Sequence, residues 1–499
     1  MGLQSNLFMF FLAVSLCLYY AVPSRLRLWV LLAANAAFFL WADAVSGVWL
    51  LFSIISTWGC ALLVQRLTSG GARRLLVAAC LLLNFGLLAA FRYFPVWESL
   101  INANFGHGLA VVRLDVAGRM NLAAPIGISF YTLQAAGYLL DTASGKYGAQ
   151  RNLGRYAAFV SFFPNISSGP IERGGHFLPQ LESALTRTRR ELLDYDRIVR
   201  GATGILLGFF MKLVIADRAA VLVDHLFGMY ADGNSFTMLM AALFYSVQLY
   251  CDFASYSCIA AGAAALFGFS LLENFRQPYF AAGISDFWRR WHISLSSWLR
   301  DYIYIPLGGN RKGRLRKYAN LLTVFLVSGL WHGGAPTFLA WGLLHGLFLV
   351  AEDALSLPLK RWGKGRRLPF RRTRRLLGSC LTFLIVTCLW IPFRSETLSM
   401  AWICLKNLFT RWQGFALAGE FLYAMGLDRT EFWIAIGAIL LLFVMDLVSE
   451  RTGKGTAAWM VCAPLPVRWG LCLILLLAVF VFGRYGTGYD AAGFIYLNF

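Results

Sequence analysis

Three histidines late in the chain, His292, His332 and His345, lie in or beside apolar segments, where an ionisable side chain is unexpected. An ionisable residue at membrane depth is costly and commonly marks a functional site. A neutral, buried imidazole can accept the proton of a hydroxyl group near physiological pH. The chemistry that these residues could perform is therefore general-base activation of a hydroxyl.

His332 is the strongest candidate, because it stands between Trp331 and two glycines at the end of a largely apolar run. Glycines remove side-chain bulk, so a substrate could approach the ring. The sequence also allows an interpretation in which His332 is a hydrogen-bonded packing residue. For His345 the packing interpretation is favoured, because in a continuous helix it would face away from His332.

His292 lies within residues 285–310, SDFWRRWHISLSSWLRDYIYIPLGGN. Apolar residues at steps of three and four predict a helix that is capped by Ser285 or Asp286 and ends in the Pro306 turn. The segment is too polar to cross a bilayer, and its tryptophan-rich face predicts a helix at the membrane surface. His292 is then either a second site residue or an interfacial side chain.

Basic residues follow this stretch, and Arg311, Lys312 and Arg314 are the candidates for binding the phosphates of an anionic donor. They come between His292 and His332 in sequence, which favours them over the second basic loop at residues 360–375. The alternative interpretation of both loops is a positively charged anchor on the cytoplasmic side of a membrane.

The elements that must position these residues belong to a membrane protein. The 499 residues are 59% hydrophobic and 14% charged, with a mean hydropathy of +0.61, whereas soluble proteins carry about 25% charged residues. The composition predicts an all-α, polytopic protein with roughly ten to thirteen crossings plus interfacial and re-entrant helices. The net charge of +20 is attributed to basic loops rather than to nucleic-acid binding.

The first predicted spans are residues 7–21, 28–41, 48–63 and 75–91, and no cleaved signal peptide is expected. A Pro/Gly-rich segment at residues 162–173 predicts a re-entrant or interfacial turn that protein must shield. The ten cysteines show no metal-ligand spacing, so no metal is expected. No repeat or separate soluble domain is evident, and residues 1–499 are predicted to form one membrane-embedded domain.

The motifs WRRWHISLSSWLRDYIYIPLGGNR and SGLWHG resemble the membrane-bound O-acyltransferase family, and most closely its bacterial alginate O-acetylase branch. APIGISFYTLQ, FFPNISSGPIER, NFRQPYFAAGISDFWRRWH and the terminal FIYLNF fit the same branch. The resemblance implies many helices around a central tunnel. It also implies that His332 is the catalytic histidine and that His292 is the second site residue.

The resemblance further implies that an acetyl group moves from a cytoplasmic thioester, acetyl-CoA or another acyl donor, to an extracytoplasmic hydroxyl. No bound cofactor is expected. The branch implies a bacterial inner-membrane location, contact with membrane lipid, a polysaccharide acceptor such as alginate and a separate exported acetyltransferase as partner. O-acetylation of peptidoglycan or cellulose is the alternative. A transporter of acyl groups or lipids and a non-catalytic scaffold are rival interpretations from other classes.

Overall fold

The computed structural model describes residues 3–93, 125–362, 371–412, 423 and 425–485, and every regular element in these ranges is a helix. The all-α prediction is therefore confirmed. The chain divides into two compact units, Met1–Tyr195 with Ala263–Leu272 and Asp196–Gly262 with Glu273–Phe499. The single functional domain and the central tunnel stay predictions. The closing FIYLNF motif and residues 363–370 of the second basic loop lie outside the described residues.

The first unit contains eight complete helices in its described part. They are α1 (Asn6–Ala21), α2 (Ser24–Ala42), α3 (Ala44–Arg66), α4 (Gly70–Arg92), α5 (Ile128–Ala143), α6 (Leu153–Val160), α7 (Gly174–Thr186) and α8 (Arg189–Leu192). The first four cover the four predicted spans. Ser5, Asp43 and Ser69 begin α1, α3 and α4 because their side chains accept hydrogen bonds from first-turn amides.

Residues 162–173 contain no helix and are largely buried in the first unit, which confirms the predicted shielded turn. Its carboxylate, Glu172, is 1% exposed. It accepts hydrogen bonds from the backbone amides of Arg173 at 2.8 Å and Leu272 at 3.0 Å. His176 Nδ1 lies 2.8 Å from the same carboxylate. This hydrogen bond raises the pKa of His176 above its usual value. Charged side chains inside the protein therefore stabilise the non-helical backbone of residues 162–173.

The second unit holds most of the remaining helices. They are α9 (Tyr195–Phe209), which continues through a π-helical turn at Phe210–Ala216 into α10 (Asp217–Gly228), α11 (Ser235–Phe267), α12 (Ile284–Trp288), α13 (Ile293–Leu299), α14 (Arg314–His332), α15 (Pro336–Trp362), α16 (Arg371–Arg394), α17 (Leu398–Thr410), α18 (Arg429–Thr452), α19 (Thr456–Cys462) and α20 (Leu465–Phe482). The first residue of α9 and the last turn of α11 belong to the first unit.

Seven helices of the described chain are long and apolar enough to cross a membrane. They are α3, α4, α11, α16, α18 and α20, together with residues Pro336–Leu355 of α15. Several of them expose leucine, phenylalanine and tryptophan side chains, as surfaces in contact with lipid do. The number of ten to thirteen crossings stays a prediction. Further apolar helices such as α1, which has 16 residues, are shorter than the seven candidate spans.

Residues 285–310 do not form the single interfacial helix that the periodicity predicts. The helix is broken at His292, which has a left-handed φ of 43° and separates α12 from α13. Residues 274–276, which form no regular element, are hydrogen-bonded to the residues around the break: the Ile293 amide donates to the Asn274 carbonyl, and the Arg276 amide to the Arg290 carbonyl, both at 2.9 Å. Tertiary hydrogen bonds therefore override the local helical pattern.

The ends and the environment of this stretch also need correction. Helix α12 begins after Gly283, and neither Ser285 nor Asp286 is its N-cap. Trp291 and Trp298 are 1% and 5% exposed, so these tryptophans pack inside the protein rather than along a membrane surface. The predicted C-terminal turn is confirmed, since the Gly309 amide donates to the Tyr304 carbonyl at 2.9 Å.

Helices α14 and α15 form a close hairpin because two glycines let their backbones approach. A Cβ atom at Gly329 would lie 2.5 Å from the Phe338 carbonyl oxygen, and one at Gly342 would overlap the Phe325 carbonyl oxygen. The hairpin brings His332, at the end of α14, against the first turns of α15.

Candidate functional site

His292 is held at the start of α13 by a set of polar side chains in the second unit. It is 1% exposed, and its Nδ1 lies 3.4 Å from Asn274 Oδ1. The same Asn274 oxygen accepts a hydrogen bond from Ser294 Oγ at 2.6 Å. Asn274 Nδ2 donates to Ser257 Oγ at 3.0 Å. His292 thus faces an acceptor oxygen on its Nδ1 side.

The contact with Asn274 favours one tautomer of the neutral His292 ring. If Nδ1 donates to Asn274 Oδ1, then Nε2 is an acceptor. Burial lowers the pKa of His292 from 6.5 to about 3, so the ring is neutral at physiological pH. The Phe253 ring packs edge-on against it at 4.7 Å between centroids. A neutral imidazole with Nε2 as acceptor can receive a hydrogen bond from a hydroxyl.

His332 ends α14 and is 2% exposed. Its ring packs at right angles to Trp341 of α15, with 5.0 Å between centroids, and lies 5.2 Å from Phe393 of α16. Three helices therefore fix the position of the imidazole. The immediate surroundings of the ring are aromatic.

Trp331 connects the two histidines. The centroid of its ring lies 4.9 Å from that of His332 and 5.9 Å from that of His292. The centroids of the two imidazole rings are therefore separated by no more than these two distances added together. In sequence the two histidines are forty positions apart. The structure brings together the two residues that the sequence predicted as a pair.

His345 lies in the same aromatic cluster but in a different setting. It is fully buried, and its Nδ1 accepts a hydrogen bond from Trp288 Nε1 at 3.2 Å. Its ring lies 5.1 Å from Trp341. This hydrogen bond orients Trp288. The packing role of His345 stays a prediction.

Arg311, Lys312 and Arg314 lie at the opposite end of α14 from His332 and are exposed. At a rise of 1.5 Å per residue, Arg314 and His332 are about 27 Å apart along the helix axis. The structure therefore does not bring these basic residues to the histidines. They could contact only the distant part of a long donor.

Asn274 and its serine partners were not predicted as site residues. Asn274 opens the NFRQPYF motif, and Ser294 follows His292 by two positions. Eighteen residues separate Asn274 from His292 in sequence. The sequence therefore does not show that the amide lies beside the imidazole, and only the fold reveals it.

Comparison with known proteins supports the resemblance. The model of the membrane-bound O-acyltransferase family matches residues 127–362, which include all three histidines. A probable alginate O-acetylase of Azotobacter vinelandii is 36% identical over 417 residues, covering 82% of this chain and 78% of the relative. A peptidoglycan O-acetyltransferase of Helicobacter pylori is 33% identical over 407 residues, covering 77% and 73%.

A more distant relative is the teichoic acid D-alanyltransferase of Bacillus subtilis, at 30% identity over 275 residues, 53% of this chain and 67% of the relative. The similarity to the alginate O-acetylases extends over most of both chains, and the long apolar helices agree with it. The chain therefore belongs to the membrane-bound O-acyltransferase family and is a multi-pass integral membrane O-acyltransferase.

Proposed function

We propose that this enzyme moves an acetyl group from a cytoplasmic thioester donor, acetyl-CoA or a similar acyl thioester, to a hydroxyl of an exported polysaccharide. Alginate is the first candidate acceptor, because the relatives in its branch are described as alginate O-acetylases. Peptidoglycan is the second, because another relative is described as acting on it. The observation that carries the proposal is the pair of buried imidazoles, His292 and His332, that contact one tryptophan.

In the proposed reaction, His332 accepts the proton of the acceptor hydroxyl as the oxygen attacks the thioester carbonyl carbon. The C–S bond breaks, and the departing thiolate takes a proton from the imidazolium, so His332 returns to its neutral form. The single proton of the attacking hydroxyl goes to His332, so His292 accepts a hydrogen bond through Nε2 from a second, non-reacting hydroxyl of the polysaccharide and in this way orients the acceptor. The Asn274 contact supports this role over polarisation of the carbonyl, which would require a proton on Nε2.

The His332→Ala variant tests the proposal, with His345→Ala as a buried histidine control from the same cluster. General-base catalysis contributes about 10²- to 10⁴-fold, so His332→Ala should lose at least a hundredfold of kcat. Both variants should insert into the membrane and accumulate. Acetylation at the wild-type rate by His332→Ala would refute the assignment.

The donor and the acceptor require separate measurements. Vesicles containing the protein and labelled acetyl-CoA should release free CoA only when an acceptor is supplied, either a soluble surrogate alcohol or the polymer together with the exported partner. Transport of the acyl group without chemistry would release none, and a scaffold would tolerate loss of both histidines. Mass analysis of surface polymers from cells with and without the protein should show loss of acetyl groups from one polymer. An unchanged polymer profile would contradict the proposed acceptor class.

The proposed setting is the bacterial inner membrane, with a separate exported acetyltransferase completing the transfer. Purification from gently solubilised membranes should retain such a partner, and its deletion should stop polymer acetylation without stopping thioester cleavage to a soluble surrogate alcohol. Full polymer acetylation by the purified chain alone would show that no partner is needed.

A further inference from the structure

A surface pocket of about 390 Å³ lies within the first unit, away from the histidines in sequence. Residues 20–24 and Arg27 line it at the start of α2, and residues 186–189 line it between α7 and α8. Its volume falls within the range of small-molecule sites, roughly 300–1,000 Å³. The acyl-transfer reaction proposed above does not use this pocket.

The lining of the pocket is strongly basic. It contains Arg27, Arg187 and Arg189 and no aspartate or glutamate. Glu191 is the carboxylate nearest to these arginines in sequence. It accepts a hydrogen bond from the Thr188 amide at 2.7 Å, in the capping box of α8. Three guanidinium groups without a lining carboxylate predict an anionic ligand.

Arg27 provides an independent observation, because its charge is buried without an ion pair. The residue is 2% exposed. Its Nη1 donates to the carbonyl oxygens of Ala184 at 3.0 Å and Arg187 at 2.6 Å, which cap the end of α7. Its Nε has no hydrogen-bond partner among the described residues, and no described carboxylate forms an ion pair with it. The two carbonyls and the Tyr19 ring, whose centre is 5.8 Å from the guanidinium, offset part of the cost of burying this charge, and an anion in the pocket would offset more of it.

The start of α2 is a second feature that favours an anion in the pocket. The N-cap of this 19-residue helix is Pro23, whose side chain caps none of the first-turn amides. The positive end of the helix dipole attracts anions, phosphate groups in particular. The pocket therefore combines a helix N-terminus with a buried arginine and two surface arginines.

Neighbouring side chains indicate where such a phosphate comes from. Leu26 and Trp29, in the first turns of α2, are 47% and 66% exposed. Exposed apolar residues beside a basic pocket on a membrane protein suit a ligand with both a phosphate and acyl chains. We infer that this pocket binds the phosphate of an anionic membrane phospholipid, with Arg27 as its buried counter-charge and Arg187 and Arg189 at its mouth.

The test compares two double variants of the full chain that remove the same charge. Arg187→Gln/Arg189→Gln removes both surface arginines of the pocket, and Arg25→Gln/Arg190→Gln removes two nearby arginines that do not line it. Native mass spectrometry would measure phosphatidylglycerol retained by detergent-purified protein during titration. At about 1 kcal/mol per basic residue, the pocket variant should bind roughly 10- to 30-fold more weakly. The control variant should bind like the wild type.

Arg27→Gln should lose binding too, with a thermal-unfolding scan to establish that it folds. If both double variants bind the lipid equally weakly, the effect comes from general surface charge and the inference is overturned. Unchanged lipid binding in both variants would overturn it as well. Competition separates the phosphate sources. Inorganic phosphate should displace the lipid only at far higher concentration, and displacement at a similar concentration would overturn the assignment to a lipid.

Discussion

Asn274 Oδ1 lies 3.4 Å from His292 Nδ1 and also accepts a hydrogen bond from Ser294 Oγ, so it is placed to favour the tautomer with a proton on Nδ1. The relationship makes Asn274 a positioning residue for the proposed reaction. Replacing it by alanine should lower kcat roughly tenfold, the value of about one lost hydrogen bond, with little change in KM for the acceptor. Asn274→Asp retains an acceptor for Nδ1 and should keep more activity than Asn274→Ala.

Asn407 offers the matched control for that prediction. It is 1% exposed, and its Nδ2 donates to the Tyr230 carbonyl at 2.8 Å. Asn407→Ala should lower thermal stability while kcat per folded molecule stays unchanged. If both alanine variants lose only stability, Asn274 has a structural role and does not orient the imidazole.

The depressed pKa of His292 predicts a pH-dependent contribution to stability. The buried ring stays neutral down to a pKa of about 3, whereas the unfolded chain takes up a proton below about pH 6.5. The contribution is fully present above pH 6.5 and is lost as the pH falls toward 3. Between pH 7.5 and 5 the wild type should lose about 2 kcal/mol more than a variant without this group.

His292→Asn is the variant for this measurement, because asparagine tolerates the left-handed φ of 43° that the position requires. Thermal unfolding of both proteins in the same detergent would be followed across the pH range. Parallel stability curves for the two proteins would show that His292 does not stay neutral in the native state.

His345→Phe should separate packing from catalysis. The change keeps an aromatic ring but removes the acceptor of the Trp288 Nε1 hydrogen bond. An unsatisfied buried donor costs about 1–3 kcal/mol, so the unfolding temperature should fall while kcat at a permissive temperature stays near that of the wild type. A loss of kcat as large as that of His332→Ala, in a protein that remains folded, would place His345 in the reaction.

The basic residues after the turn test donor binding. Neutralising Arg311, Lys312 and Arg314 together should raise KM for an anionic thioester severalfold at low salt and reduce its salt dependence, with kcat little changed. The control is Arg372→Gln/Arg374→Gln on α16, with topology reporters on every variant. Altered topology with an unchanged KM would support the anchor interpretation instead.

Lys212 forms a buried charge cluster with Asp252 at 2.6 Å and Asp217 at 3.0 Å, and all three side chains are at most 3% exposed. Lys212→Met leaves two carboxylates without their cation and should cost about 3–5 kcal/mol. Lys146→Met is the matched control: its Asp141 partner is also 2.6 Å away, but the lysine is 56% exposed, so less than about 1 kcal/mol is expected. Similar unfolding temperatures for the two variants would contradict this account.

The relation between sequence and fold differs from one stretch to another. The first four helices follow directly from apolar runs, and Ser5, Asp43 and Ser69 cap three of them, so both their type and their positions were predictable. Residues 285–310 were not, because the same spacing of tryptophans fits one interfacial helix or two short buried ones. The hydrogen bonds from the 274–276 segment decide between them, and they join residues that are distant in sequence.

The sequence by itself determined the class of the protein, the all-helical fold and the candidacy of His292 and His332, because hydropathy and residue type are local properties. Only the tertiary structure decided that both rings contact Trp331, that Asn274 orients His292, and that Arg314 lies a helix length from His332. The physical reason is that these relations depend on where helices end and which faces pack together. Glycine contacts and buried hydrogen bonds between distant segments determine both, and no local pattern records them.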